Sequence, residues 1–211
     1  MEKPEAITSP GVHEEIAKLL SKEDKNKKVL DLGAGYGALS FILKKQFKNI
    51  TAADLHPENF KLKEIKCVKT DINKKFPFKN DSFDVVCCAE VVEHIKTPWQ
   101  LIDECFRILK KDGILILSTP NNENWYSRLQ FLFSGTLTNF PGPAYNRDRS
   151  LNWDSHITPI FSWTLNYMIK DKFAVKKVAF NRSNVPILRI SLPFTGKLFG
   201  ETSIYKLISK K

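Results

Sequence analysis

Three observations predict an α/β fold built on a Rossmann-like, doubly wound sheet. Short apolar runs alternate with helical periodicities from residue 28 to residue 118, and such alternation implies right-handed crossovers and parallel strands. The run at 29–32 passes directly into Gly33-Ala34-Gly35-Tyr36-Gly37 and then into helically spaced Leu39, Phe41, Ile42, Leu43 and Phe47. Acids stand at the ends of four successive runs, Asp31, Asp54, Asp71 and Glu90. In an open α/β sheet a ligand sits beyond the carboxyl ends of the strands. Four acids at four strand ends are hard to explain as packing.

The 211 residues suit one domain, 1–211. It divides into a lead-in and helix (1–27), a ligand-binding core (28–118), an inserted cap (119–161) and a C-terminal helix with a strand hairpin (162–211). No apolar run reaches the length of a membrane span. Residues 1–10 carry acids and prolines rather than the basic-then-apolar order of a signal peptide. Cys67, Cys87, Cys88 and Cys105 lack metal-like spacing and fit reduced core residues of a cytoplasmic protein. The net charge of +10 would suit an anionic partner. The preferred reading is a lysine-rich surface interleaved with acids, as at 21–28, so nucleic acid is not favoured.

Taken in order, residues 1–10 read as a loose lead-in. Val12, Ile16, Leu19 and Leu20 have helical spacing, and that helix is placed to cover the ligand. Residues 49–54 form a second strand and 66–70 a third. Residues 76–82 form a loop and 83–89 a continuous apolar run, as a central parallel strand should be. Residues 98–109 are an amphipathic helix closed by Lys110-Lys111-Asp112-Gly113, with cations in the last turn and a glycine cap. Residues 114–118 are another buried strand. The long segment 119–161 breaks the rhythm with Pro120, Pro141, Pro143 and Pro159 and many aromatics, among them Trp125, Tyr126, Phe131, Phe133, Phe140, Tyr145, Trp153 and Phe161. Such an insertion reads as a substrate cap with a helix over 124–133; the bland alternative is a surface excursion. A helix over 162–172 and strands at 174–181 and 203–209, paired antiparallel, complete the chain. The apolar stretch 184–200 is broken by Pro186, Pro193, Gly196 and Gly200.

The first glycine turn offers bare N–H groups to a ligand. A dinucleotide is disfavoured because Asp31 precedes the glycines, and a carboxylate there repels a pyrophosphate while attracting an ammonium. S-adenosylmethionine carries an ammonium and a sulfonium and no phosphate. Asp54, about twenty residues after the glycines, is placed to accept from both ribose hydroxyls; a helix N-cap is the alternative. Asp71 with Ile72 could serve an adenine or simply a turn, and both readings stay open.

The chain resembles the class I S-adenosylmethionine-dependent methyltransferases, above all the group with the ubiquinone-biosynthesis O-methyltransferases. The resemblance is carried by 29–37 (Val-Leu-Asp-Leu-Gly-Ala-Gly-Tyr-Gly), by Phe76-Pro77-Phe78 with 81–86, by 90–95, and by 109–113 leading into Leu117-Ser118-Thr119-Pro120-Asn121. It implies a seven-stranded, mostly parallel sheet with one antiparallel strand. It implies S-adenosylmethionine as cofactor, with Asp31, Gly33 and Gly35 at its methionine end, Asp54 at the ribose, Asp71 and Ile72 at the adenine, and Ala89 and Glu90 near the methionine moiety; Leu55 joins them as a cofactor-binding residue.

Transfer to a hydroxyl requires loss of a proton, for which His94 and His156 are the candidate bases. If 90–94 begins a helical turn, Glu90, Glu93 and His94 share a face. With His156, beside Asp154, they could hold Mg²⁺, Mn²⁺ or Zn²⁺. The segment resembles metal sites of the small-RNA 3′-end 2′-O-methyltransferases. The favoured reading is instead that Glu93 and His94 hydrogen-bond within the core and orient the loop. The function expected is methylation of a small acceptor, aromatic or lipid-like, at oxygen. The alternatives are an RNA methyltransferase and a non-catalytic binding protein of the same fold.

Overall fold

The computed structural model describes residues 3–140, 156–181, 183–185, 190–192 and 195–211, with backbone only for 183–185 and 190–192. The elements run α1 (Val12–Leu20), β1 (Lys28–Leu32), α2 (Ala38–Leu43), β2 (Asn49–Asp54), β3 (Cys67–Lys69), β4 (Phe83–Ala89), α3 (Pro98–Ile108), β5 (Leu109–Pro120), α4 (Trp125–Ser134), α5 (Ser162–Ile169), β6 (Phe173–Phe180), β7 (Ser183–Val185), β8 (Ile190–Leu192) and β9 (Thr202–Ser209), with 3₁₀ turns at Pro57–Asn59 and Val92–His94.

Seven strands form one sheet in the order β3-β2-β1-β4-β5-β9-β6, and β7 pairs with β8 in a separate hairpin. The pairs β1–β2, β1–β4, β2–β3 and β4–β5 are parallel. Strand β9 runs antiparallel to both β5 and β6, so it is the one reversed strand. Successive strand residues point to opposite faces, and both faces are covered. Leu30, Leu32, Val86, Cys88, Leu115 and Leu117 pack with Leu101, Ile102, Cys105, Leu165 and Met168 of α3 and α5. Val29, Val85, Cys87, Ile114 and Ile116 pack with Val12, Ile16, Leu20, Leu39 and Leu43 of α1 and α2. Burial on two faces is why these strands read as continuous apolar runs rather than alternating ones.

Two local expectations need correction. Helix α2 stops at Leu43, and Phe47 is held by a single turn through its N–H to Leu43 O at 2.9 Å. No glycine cap closes α3: its backbone becomes extended at Leu109, which already pairs with Phe83. The left-handed residue of the following turn is Asp112 (φ 54°), not Gly113. Gly113 is instead needed for close approach, since a Cβ there would meet Lys110 O at 2.9 Å.

The segment 119–161 begins as expected, with a helix whose Asn124 side chain accepts from Ser127 N–H. Leu129, Phe131, Leu132 and Phe133 of this helix are exposed, Phe131 at 57% and Phe133 at 83%, while Trp125 and Tyr126 are half-buried. Pro141, Pro143, Tyr145, Trp153 and Asp154, which also entered the expectations for the cap and the metal set, lie outside the described residues, as do Pro186 and Pro193. Among the described residues no helix is long and apolar enough to cross a membrane, and all four cysteines are free.

Candidate functional site

The carboxyl ends of β1, β2 and β4 open onto one cavity of about 760 Å³, within the range of small-molecule sites. Asp31, Gly33, Gly35, Asp54, Leu55, Asp71, Ile72, Ala89, Glu90, His94 and His156 all line it. Glu93 does not; it lies buried behind the wall.

The glycine turn is shaped by its neighbours. Gly33 N–H and Ala34 N–H donate to Ala53 O at 2.8 and 3.1 Å, which fastens the turn to β2. Gly33 has φ 77°, and a Cβ there would lie 2.4 Å from Val91 Cγ2. Gly35 N–H donates to Asp54 Oδ2 at 2.8 Å, and Asp54 Oδ1 accepts from His56 N–H at 2.9 Å. Asp54 thus braces the turn from the next strand while facing the cavity.

Asp31 is buried at the end of β1, and Ser40 Oγ–H donates to its Oδ2 at 2.6 Å. Burial pushes its carboxyl up to about 6, with the charge of Asp54 adding and the Ser40 hydrogen bonds opposing. Asp71 is engaged locally: Asn73 N–H donates to its Oδ1 at 3.0 Å and Lys74 pairs with its Oδ2 at 2.9 Å. That geometry is what a turn acid makes, although the residue stays on the cavity wall.

Residues 90–94 do not form one continuous helical turn. Glu90 is left-handed (φ 53°), and only Val92–His94 is 3₁₀. Glu90 N–H donates to Ser118 Oγ at 3.0 Å. Its Oε2 accepts from Ser9 N–H at 2.9 Å and its Oε1 from Thr202 Oγ–H at 2.8 Å. Burial raises its carboxyl above the usual range. Glu90 is therefore directed away from the group formed by Glu93, His94 and His156, whose potential ligand atoms all lie within 4.8 Å of one another. Chain geometry explains that grouping. Glu93 O accepts from Ile157 N–H and Thr158 N–H at 2.8 and 3.0 Å, which sets the His156 ring edge-on to His94, 4.6 Å between centroids. Both Glu93 carboxylate oxygens lack a hydrogen-bond partner among the described residues, as does Thr119 Oγ nearby. Burial drives the Glu93 carboxyl well above the carboxylate range, and the Glu90 charge reinforces this.

Part of the site was not read from the sequence. Ile7, Thr8 and His13 line the cavity, as do Tyr36 and Asn73. The turn-forming run Thr8-Ser9-Pro10-Gly11 was the available signal that residues 3–10 reverse across the strand ends. Conversely, none of Trp125, Tyr126, Phe131, Phe133, Phe140 and Phe161 lines the cavity. His156 is the contribution of the described part of 119–161, with Phe140 packed 5.3 Å from its ring.

The cavity has a composition opposite to that of the chain. Glu5, Asp31, Asp54, Asp71 and Glu90 line it, and no lysine or arginine does among the described residues, in a protein of net charge +10. The wall therefore suits a cationic, phosphate-free ligand.

Comparison with known proteins agrees with that chemistry. Residues 30–117 match the family described as Methyltransferase domain. A ubiquinone biosynthesis O-methyltransferase of Psychrobacter arcticus is 32% identical over 106 residues, covering 45% of this chain and 41% of the relative. One from Xanthomonas oryzae pv. oryzae is 34% identical over 103 residues, covering 44% and 43%. The chain thus spans less than half the length of these relatives. Among solved structures, a SAM-dependent methyltransferase from Archaeoglobus fulgidus superposes with a TM-score of 0.66 at 17% identity, covering 94% of this chain and 93% of that one. That likeness speaks to the fold. The fold, the strand-end acids and the matched segment agree: residues 30–117 are similar to the family described as Methyltransferase domain, and the whole sheet has the fold of solved SAM-dependent methyltransferases.

Proposed function

We propose that this protein transfers the methyl group of S-adenosylmethionine to an oxygen of a small-molecule acceptor. The observation that carries the reading is the acid-lined cavity at the carboxyl ends of β1, β2 and β4, which no lysine or arginine lines among the described residues. When bound, the cofactor supplies a methyl group already activated on a sulfonium. Asp31 is placed to pair with the ammonium, Gly33 and Gly35 leave room for close approach, and Asp54 with Leu55 faces the ribose. Ile72 packs at the adenine end, with Asp71 beside it. Ala89 stands at the methionine end.

The protein's work in such a displacement is orientation and exclusion of water. His94 or His156 takes the acceptor's proton, since both line the cavity. The oxygen preference and the aromatic or lipid-like character of the acceptor rest on the relatives named for ubiquinone biosynthesis. A cytoplasmic setting belongs to the same reading. Calorimetric titration with S-adenosylhomocysteine, followed by assays on a panel of phenolic and amine acceptors, tests the function. No binding at high micromolar ligand would refute it, and transfer confined to amines would refute the oxygen preference.

The orphaned carboxylate of Glu93 beside two imidazoles favours a second reading, in which Glu93, His94 and His156 hold a divalent cation and neither imidazole is the base. A cation there would assist ionisation of an acceptor hydroxyl. Mn²⁺ or Zn²⁺ is then expected to raise the melting temperature of the protein, and the rise should vanish in Glu93→Gln. If the ions leave the wild-type melting temperature unchanged, Glu93 and His94 serve only to order their loop.

A further inference from the structure

We propose that residues 5–9 form a strap closed over the cofactor cavity and that Glu90 is its latch, a positioning residue rather than a direct ligand. The cofactor's identity here rests on the function proposed above. Glu5, Ile7 and Thr8 line the cavity, although they precede the first helix and lie far in sequence from β4. Ile7 faces the glycine turn, its Cδ1 3.7 Å from where a Cβ on Gly35 would stand. Its side chain is nonetheless 61% exposed, so little apolar burial holds the strap in place.

The strap is held instead by polar contacts. Ser9 N–H donates to Glu90 Oε2 at 2.9 Å, and Thr8 Oγ lies 3.3 Å from His13 Nε2. At the strap's end Asn181 Nδ2–H donates to Pro10 O at 3.3 Å, and Gly11 turns the chain into α1 with φ 85°. Glu90 is fixed in turn by Thr202 Oγ–H from the reversed strand β9, at 2.8 Å. Both of its oxygens are therefore occupied by protein, one by the strap and one by the sheet. The left-handed backbone of Glu90 (φ 53°) aims the side chain at these partners. A segment with few buried contacts and one charge-assisted hydrogen bond opens locally at low cost. The strap forms part of the cavity wall, so its opening widens the path for ligand entry and release.

Two substitutions separate latch from ligand. Glu90→Gln removes one of the two acceptor oxygens. Thr202→Val removes the donor on the far side of Glu90 and does not itself line the cavity. In ligand-free protein, amide hydrogen exchange at residues 5–9 is expected to rise by roughly tenfold in Glu90→Gln, and in the same direction in Thr202→Val. Stopped-flow release of S-adenosylhomocysteine should accelerate in parallel, with entry also faster. The exchange measurement decides the latch whether or not that ligand binds, and binding itself tests the proposed function. Unchanged exchange at 5–9 in both variants overturns the latch. Weaker affinity in Glu90→Gln with normal exchange at 5–9 also overturns it and makes Glu90 a direct ligand. Faster exchange without faster release overturns the gating role.

Discussion

At the scale of single residues, Asp31 couples binding to stability. Its carboxyl is raised from 3.8 to about 6 by burial, so between those pH values the folded protein holds a proton that the unfolded chain has lost. Ligand-free stability therefore falls as pH rises through that window, by about 3 kcal/mol in full. A bound ammonium would reverse the balance, because it needs the carboxylate. Affinity for S-adenosylhomocysteine is thus expected to weaken below pH 6. Asp31→Asn keeps an acceptor for Ser40 and removes the buried charge. It should melt no lower than the wild type at pH 8 yet bind the ligand at least about tenfold more weakly. Calorimetry and thermal melts over pH 5–8 check both halves, and wild-type affinity in the variant would rule out the ammonium contact. Glu93 shows the same tension more strongly, a carboxyl in the interior with neither oxygen satisfied.

At the scale of elements, the β1–α2 turn carries the tightest constraint. Alanine at position 33 would meet Val91 Cγ2 at 2.4 Å and would sit at φ 77°. Positive φ costs an L-residue about 1–2 kcal/mol, and overpacking adds about 1–3 kcal/mol. Gly33→Ala should therefore lose about 2–5 kcal/mol in urea denaturation. Adding Val91→Ala should recover the steric share alone. A Gly33→Ala protein as stable as the wild type would contradict this account. The loop 76–82 is held differently. Glu104 accepts from Phe76 N–H at 2.7 Å, and Arg107 donates to Phe76 O, Phe78 O and Asn80 Oδ1. The i,i+3 pair of Glu104 and Arg107 on α3 thus orders a loop that has little regular structure of its own.

At the scale of the whole molecule, β9 organises more than its position at the C-terminal end of the chain suggests. It closes the sheet between β5 and β6, its Thr202 holds Glu90, and its Lys206 reaches Leu19 O and Glu23 beside α1 at 3.0 and 2.7 Å. The surface charge is dispersed, with lysines paired to acids on separate elements, such as Lys110 with Asp84, Lys172 with Asp103 and Lys197 with Glu123. At the strand ends, by contrast, Asp31, Asp54 and Glu90 take their hydrogen bonds from hydroxyls and backbone N–H groups among the described residues.

What the sequence by itself determined follows from short-range causes. Apolar runs such as 83–89 identify central strands because both of their faces are buried. The glycine turn and the acids at 31, 54, 71 and 90 identify the binding edge because strand ends converge there. Only the tertiary structure decided which partners those residues take. Ser9 and Glu90 are 81 positions apart and Glu90 and Thr202 are 112 apart, and no local pattern encodes such pairings. The same holds for Glu93 against His156, brought together by backbone hydrogen bonds to Ile157 and Thr158, and for α4, whose Phe131 and Phe133 were expected over the ligand and are exposed. Periodicity reports which side of an element is apolar; what that side meets is settled by how distant elements dock.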